Sequence, residues 1–247
     1  MDLPQFFKEN PSGAVAFSGG TDSAYLVWAA AAYGKNWRAY YVSGAFQPVF
    51  ELKDAKKIIT QCGLPFTVLK ADVLADSVIT ANPSNRCYYC KQKVFGLICS
   101  AAAADGYQLV VDGTNASDEE GDRPGMQALR EMCVRSPLRE CGLTKETIRA
   151  ESRKAGLFTW NKPSYACLAT RIPSGTPITA ELLQKIEQGE GMLFAMGFTD
   201  FRIRIRGQIA LLQMPADQWE RAAAMHEEIR SKLHPWFPVV ALDMQTR

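Results

Sequence analysis

The sequence predicts an α/β protein: a parallel β-sheet with helices on both faces, followed by a small α+β domain. Three observations carry this. Ala14-Val15-Ala16-Phe17 is a short apolar run that passes through Ser18-Gly19-Gly20 into a second apolar run, Ala24 to Tyr33, as a buried strand turning into a buried helix would. Strand-like runs then alternate with helix-like ones as far as Val111, and such alternation implies parallel strands joined by helical crossovers. From about Thr179 the rhythm changes to helix, strand, strand, helix, strand, which suits a small α+β appendage. The chain is therefore divided into residues 1–175 and 176–247. With 247 residues, 47% of them hydrophobic, it can bury one large core and a smaller one.

In order, the first strand runs from Ala14 to Phe17 and its helix from about Asp22 to Tyr33. Trp37 to Val42, aromatic and β-branched, is the second strand. From Val49 to Cys62, Phe50, Ala55, Ile58 and Ile59 alternate with Lys53, Lys56 and Lys57 in an amphipathic helix that Gly63 ends. Pro65 to Leu69 and Leu109 to Val111 are further strands. Between them a turn-rich loop, residues 82–91, leads into a helix expected from Lys91 to Ala104. Thr144 to Lys154 is a helix closed by Gly156, and the stretch 160–175, with Pro163 and Pro173, is irregular. Beyond it come a helix from Thr179 to Met196, strands from Phe201 to Arg206 and from Ile209 to Met214, a helix from Ala216 to Leu233 and a last strand near Val239 to Leu242.

Composition excludes several classes. A net charge of +2 gives little support to a large nucleic-acid footprint. The longest apolar run, Ala24 to Tyr33, is too short to span a bilayer, and the first ten residues lack the basic-then-apolar pattern of a secretory signal. The expectation is a cytoplasmic protein without a membrane partner. Seven cysteines, an odd number, then point to buried thiols, metal ligation or catalysis and away from a disulfide framework.

The stretch Ser18-Gly19-Gly20-Thr21-Asp22-Ser23 offers successive backbone N–H groups at a helix start, a socket for phosphate. Ser18, Thr21 and Ser23 add hydroxyl donors, while Asp22 suits a helix cap or a ligand to a phosphate-bridging cation. The stretch lacks the lysine of Gly-x-x-x-x-Gly-Lys-Ser/Thr sites and the spacing of Gly-x-Gly-x-x-Gly sites. It resembles instead the Ser-Gly-Gly-x-Asp-Ser loop of the PP-loop ATP pyrophosphatases, whose sheet is of the adenine nucleotide alpha hydrolase-like type. That resemblance implies ATP held by its pyrophosphate while a substrate attacks the α-phosphorus. Asp112-Gly113-Thr114-Asn115 resembles the Gly-Thr-Asn turn of the same enzymes, and Asp112, Asp118 and Asp122 are candidates to hold Mg²⁺.

Cys87-Tyr88-Tyr89-Cys90 sets two thiols at a spacing shared by zinc, iron–sulfur and redox sites. His226 and His234 are distant in sequence and read as structural or solvated. Arg202, Arg204 and Arg206 alternate with Ile203 and Ile205, so the guanidinium groups share one strand face while the isoleucines face the core. An anionic ligand, with Arg171 joining, would relieve the repulsion among them.

Together these blocks, with Asn82 to Lys91, Asp122-Arg123-Pro124-Gly125, Ser136-Pro137-Leu138 and above all Lys162-Pro163-Ser164-Tyr165-Ala166-Cys167-Leu168-Ala169-Thr170-Arg171-Ile172-Pro173, resemble the LarE family. These are PP-loop sulfur transferases that make the sulfur groups of the nickel-pincer nucleotide cofactor. The resemblance spans most of the chain. It implies a catalytic role for Cys167, Cys87 and Cys90, a nucleotide site at Ser18, Gly19, Gly20, Thr21, Asp22, Ser23, Gly113 and Thr114, and substrate binding by Arg171, Arg202, Arg204 and Glu190. Arg206 and Gln213 depart from the family pattern.

Some members of the family sacrifice the sulfur of the cysteine matching Cys167. Others resemble thiolases in which three cysteines hold a [4Fe-4S] cluster with one iron open to sulfide, and the presence of Cys87, Cys90 and Cys167 favours the cluster. Cys62, Cys99, Cys133 and Cys141 are then bystanders. The resemblance thus implies ATP, Mg²⁺ and a [4Fe-4S] cluster, a small nucleotide substrate, a separate sulfide donor, and a family in which homo-oligomers occur. A tRNA thiolase shares the loop and the three cysteines but needs an RNA-binding surface that the charge does not support. A non-catalytic ATP-binding module is the alternative from another class.

Overall fold

The computed structural model describes residues 1–118 and 124–246. Asp122, one of the expected cation ligands, lies outside the described residues. The chain forms two compact units, one of Met1–Val73 with Asn85–Lys162, the other of Leu74–Ser84 with Pro163–Arg247. The irregular stretch from Pro163 onwards packs with the C-terminal elements.

Among the described residues of the first unit, strands β1 (Ser12–Ala16), β2 (Asn36–Ser43), β3 (Phe66–Lys70) and β4 (Val110–Val111) form a four-stranded sheet in the order β3-β2-β1-β4. All neighbours are parallel, as the alternation of elements predicts. Val111 also makes a parallel bridge to Arg135, carrying the sheet one step past β4. Helices Thr21–Tyr33, Val49–Cys62 and Arg86–Ala104 flank it. The first of these is apolar nearly all round, and Ala24, Leu26, Val27 and Ala29 are fully buried. The second ends where Gly63, at φ 71°, takes the left-handed conformation and donates its N–H to the Ile59 carbonyl.

The core gathers Val15, Leu26, Ala39, Ile58, Val111 and Leu138, and the helix Leu3–Glu9 adds Phe6 and Phe7 to it. Fully burying a phenylalanine of this kind contributes about 1.5–3 kcal/mol. Asp2 caps that helix by accepting the Gln5 N–H at 2.9 Å.

The sheet order positions the site. The chain steps outward from β1 to β2 to β3, then returns to lay β4 on the far side of β1. The direction of winding reverses between β1 and β4, and α/β sheets bind ligands outside the carboxyl ends of strands at such a reversal.

One boundary differs from the sequence reading in a way that matters. The helix expected to begin at Lys91 begins at Arg86. Only residues 82–85 form the turn, because nothing after Pro83 and Ser84 opposes a helix. Cys87 and Cys90 therefore stand one turn apart on the same helical face.

In the second unit, β5 (Arg202–Arg206), β6 (Ile209–Gln213) and β7 (Val239–Leu242) form a mixed sheet in that order. β5 and β6 are antiparallel, β6 and β7 parallel. Leu193, Phe198, Phe201, Ile203, Leu212 and Leu233 are buried in this unit. Thr179 caps the helix Ala180–Ala195 by accepting the Leu182 N–H at 3.1 Å.

The segment 74–84 belongs here because of Asn82. Its side-chain amide donates to the carbonyls of Pro173 and Thr176 at 2.8 and 3.0 Å, and its own carbonyl accepts from Gly175 at 2.8 Å. Its φ of 56° is one that asparagine tolerates.

The single helix expected from Ala216 to Leu233 is in fact a 3₁₀ turn, Ala216–Gln218, and two helices, Trp219–Ala224 and His226–Leu233. Arg221 pins the first helix by donating to the carbonyls of Met196 and Gly197 at 2.6 and 3.0 Å, while the second buries Ile229 and Leu233. The chain breaks between these two demands at Met225. No helix among the described residues is long and apolar enough to cross a membrane.

Candidate nucleotide site and cysteine centres

In the first unit the site begins with the turn after β1. Gly19 adopts φ 81°, a conformation that a side chain would strain. The turn is locked by two hydroxyls. Ser18 Oγ and Ser23 Oγ lie 2.9 Å apart, Ser23 Oγ accepts the Ser18 N–H at 3.3 Å, and Ser18 Oγ accepts the Gly20 N–H at 3.4 Å. Gly20 opens the helix without a side-chain cap, so the first helical amides are left for a ligand. Thr21 faces inward, its hydroxyl donating to the Thr159 carbonyl at 2.9 Å. Lys162 braces the turn from outside, with its ammonium 3.4 Å from the Gly19 carbonyl and 2.9 Å from Asp54 Oδ2.

A cleft of about 290 Å³ opens beside this turn. Ser18, Gly20, Asp22 and Ser23 form one wall, Asp112, Gly113, Thr114 and Asp118 the second, and Lys91 and Phe95 the third. It lies at the ends of β1 and β4, where the winding reverses.

Gly113 makes the two walls meet. A Cβ there would stand 2.8 Å from the Ser23 nitrogen and 3.0 Å from its Cα, and backbone cannot yield as a flexible side chain can. Gly113→Ala is therefore expected to push the end of β4 off the helix start and to destabilise the fold by about 1–3 kcal/mol. Calorimetric unfolding checks this; wild-type stability in the variant would show that the close approach is not needed.

The carboxylates divide by what already holds them. Asp112 accepts from Thr114 Oγ1 at 2.6 Å, from the Thr114 N–H at 3.2 Å and from Ser136 Oγ at 2.7 Å, so it shapes its own turn. Asp118 accepts the Asn115 N–H at 2.9 Å. Asp22 differs: Oδ2 accepts from Lys145 at 2.6 Å, but Oδ1 is buried with no partner among the described residues. A buried carboxylate oxygen without a partner costs about 1–3 kcal/mol or more, and a phosphate-bound cation would satisfy it. Of the described candidates, Asp22 is the one whose donor set fits Mg²⁺.

Lys91 supplies the positive charge. Burial pushes its ammonium below the usual lysine value, while Asp112, Cys87, Asp118 and Cys90 pull the other way. Gly125 gives it room, since a Cβ there would come within 3.1 Å of Lys91 Cδ. Neither Lys91 nor the Lys162–Asp54 pair is among the site residues expected from the sequence. Lys91 falls one turn past Cys87 on its helix, a register that became visible only once the helix start was known. Nothing in the sequence links Lys162 to Asp54.

Cys87 is exposed and Cys90 half-buried on the first turns of their helix, with Arg86 Nη2 3.8 Å from Cys87 Sγ. Tyr88 ties that helix to Pro124–Glu131 by donating to Glu131 at 2.6 Å. Cys87 and Cys90 belong to the first unit and Cys167 to the second.

In the second unit, half-buried Cys167 precedes the 3₁₀ turn Leu168–Arg171. Arg171 and Glu190 are both fully buried and paired through two bonds, Nε to Oε1 at 2.9 Å and Nη2 to Oε2 at 3.0 Å. Glu190 also accepts the Ile203 N–H at 2.9 Å and the Tyr165 hydroxyl. Burial, with Glu190 beside it, pushes the Tyr165 phenol well above its ordinary value. On β5, Ile203 and Ile205 face the core as the alternation predicts and Arg206 is exposed, but Arg202 is buried as well, its guanidinium 4.9 Å from the Tyr165 ring centre. Arg204 donates to Gln213 at 3.1 Å.

No protein-family model matches the chain. Over 251 residues it is 35% identical to an uncharacterized protein of Synechocystis sp., covering 99% of this chain and 92% of that one. Over 233 residues it is 29% identical to the pyridinium-3,5-bisthiocarboxylic acid mononucleotide synthase of Lactiplantibacillus plantarum, covering 93% and 84%. Over 245 residues it is 27% identical to an uncharacterized protein of Methanocaldococcus jannaschii, covering 99% and 93%.

Proposed function

The chain belongs to the LarE family, and on that premise we propose that it is an ATP-dependent sulfur transferase. It activates a carboxylate of pyridinium-3,5-biscarboxylic acid mononucleotide and converts it to a thiocarboxylate for nickel-pincer nucleotide biosynthesis. The observation that supports the reading is the cleft at the winding reversal, with half-buried Lys91 and an Asp22 oxygen that has no partner among the described residues on its walls.

ATP lies with its pyrophosphate against the Ser18–Ser23 turn, where backbone N–H groups and the helix start favour negative charge. Asp22 would hold Mg²⁺, which would supply positive charge to offset that of the phosphates. The substrate carboxylate oxygen forms a bond to the α-phosphorus as the bond to pyrophosphate breaks, and Lys91 steadies the charge that develops. Lys145 holds Asp22 in place through its bond of 2.6 Å. A sulfur nucleophile then bonds the acyl carbon of the adenylate, and AMP leaves with the oxygen. Adenylation is needed because a carboxylate is a poor electrophile without a good leaving group.

Cys87 and Cys90 share one helical face, which supports an iron–sulfur reading of that pair, while among the described residues no three His, Cys, Asp or Glu side chains are gathered as a metal-ion site. A [4Fe-4S] cluster with Cys87 and Cys90 among its ligands would supply sulfide from an open iron. The chain's own part is to keep the cysteines positioned and the acyl carbon away from competing water.

The test is pyrophosphate release by the full chain with ATP and Mg²⁺, with and without the pyridinium dicarboxylate mononucleotide, coupled to mass analysis of the nucleotide. Release that requires the dicarboxylate, and a product in which sulfur has replaced oxygen, are expected. Absence of release even with the dicarboxylate would refute the reading and favour a module that only binds nucleotide.

A further inference from the structure

We infer that Lys162, held by Asp54, is a positioning residue that keeps the Gly19–Gly20 peptide turned with its N–H toward the cleft and its carbonyl away from it. Its meaning for phosphate binding rests on the nucleotide reading of that cleft.

A peptide unit is planar and trans, so its C=O and N–H point in opposite directions, and whatever holds one aims the other. Lys162 Nζ stands 3.4 Å from the Gly19 carbonyl, a contact between a full charge and the oxygen end of the peptide dipole. The N–H of the same peptide, that of Gly20, points the other way, to Ser18 Oγ at 3.4 Å. Ser18 and Gly20 line the cleft. Gly19 is buried against the helix Val49–Cys62, where a Cβ on it would come 3.2 Å from the Glu51 carbonyl. Rotating this peptide by half a turn would bring a carbonyl oxygen to the place where a phosphate needs a donor. The turn itself opposes that rotation weakly. It carries φ of Gly20 from −79° into the positive range, which a residue without Cβ enters freely. The restraint therefore has to come from outside the turn.

Lys162 supplies it. Its backbone is fixed at both ends, the N–H donating to the Thr159 carbonyl at 3.0 Å and the carbonyl accepting from Arg149 at 2.9 Å. The Thr159 carbonyl is also the one that the Thr21 hydroxyl reaches, so residues 159–162 grip the turn at two points. The ammonium is placed by Asp54 at 2.9 Å and by the Phe50 ring, whose centre is 5.4 Å away. The Lys162 and Asp54 side chains are 15% and 20% exposed, so solvent ions screen the pair weakly and the ammonium stays beside the carbonyl.

Gly19 and Gly20 are the one pair of adjacent glycines in the sequence, and the test uses this. In the full chain grown with glycine carrying ¹³C at the carbonyl and ¹⁵N at the amide, a carbonyl–amide correlation spectrum shows a single cross-peak, which reports this peptide. In ligand-free Lys162→Met the Gly19 carbonyl resonance is expected to move upfield and to broaden or split as the two orientations exchange; in Asp54→Asn it moves the same way by less. A peak unmoved in both variants overturns the inference. Inorganic pyrophosphate, titrated calorimetrically, reads the consequence. A peptide that shows its N–H only about a tenth of the time binds about tenfold more weakly, and both variants are expected to lose affinity, Lys162→Met by about fivefold or more. Tighter binding by Asp54→Asn overturns the inference, because an ammonium freed from its carboxylate would then be meeting the phosphate itself. The cross-peak is read without ligand, so a wild-type chain that fails to bind pyrophosphate refutes the nucleotide site while the peak still decides the latch. Lys57, 3.8 Å from Asp54, remains as a counter-charge in Lys162→Met, and should that variant not fold, Asp54→Asn decides.

Discussion

Replacing Arg171 by methionine is expected to lower the unfolding free energy by about 3–5 kcal/mol, because it leaves the Glu190 carboxylate buried without its counter-charge. Both side chains are fully buried, and the pair is joined by two bonds of 2.9 and 3.0 Å. Water cannot compensate for the lost partner as it would at the surface. The cost belongs to the orphaned charge more than to the lost attraction, so Arg171→Met combined with Glu190→Gln should recover at least half of it. The glutamine oxygen can still accept the Ile203 N–H that Glu190 accepts at 2.9 Å. Calorimetric unfolding of both variants measures this. A loss below about 1 kcal/mol in the single variant would place the pair among weak, solvated ion pairs.

Cys167→Ser should leave pyrophosphate release close to wild type and reduce thiocarboxylate formation by about a thousandfold or more, since the two half-reactions need different groups. The backbone of residue 167 is held through its carbonyl, which accepts from Arg171 and from Thr170 Oγ1 at 2.8 Å. A serine keeps those bonds, so stability should change by less than about 0.5 kcal/mol. Single-turnover assays following both products make the comparison. Thiocarboxylate formed at more than a small fraction of the wild-type rate would show that Cys167 neither donates nor holds the sulfur.

Where local chemistry decides, the fold could be read from the sequence. The helix Val49–Cys62 has the boundaries its apolar spacing and Gly63 predict, and the caps at Thr144 and Thr179 stand at the helix starts. The parallel sheet followed from alternation, and the tight turn after β1 from Gly19 and its hydroxyl neighbours. Long-range effects could not be read. The burial of Arg202 depends on Tyr165 and Ser164, far away in sequence, and the break at Met225 depends on Arg221 finding the carbonyls of Met196 and Gly197. The pair of Lys162 with Asp54 and the Asp22 oxygen left without a partner among the described residues are likewise products of the fold. Alternation placed the arginines of β5 on one face, but periodicity carries no information about what covers that face.

The second unit is made of two pieces of chain that a ribosome delivers at different times. Residues 74–84 emerge early, yet the carbonyls that Asn82 seizes, those of Pro173 and Thr176, are synthesised some ninety positions later. During that interval the first unit can complete its sheet, because β1 to β4 and the Arg135 bridge all precede Lys162. The early piece must wait as a tether looped out of a nearly finished domain. A product truncated near residue 162 would therefore carry a folded parallel sheet and an unclaimed strap, which makes residues 74–84 a natural point of attack for proteases during synthesis.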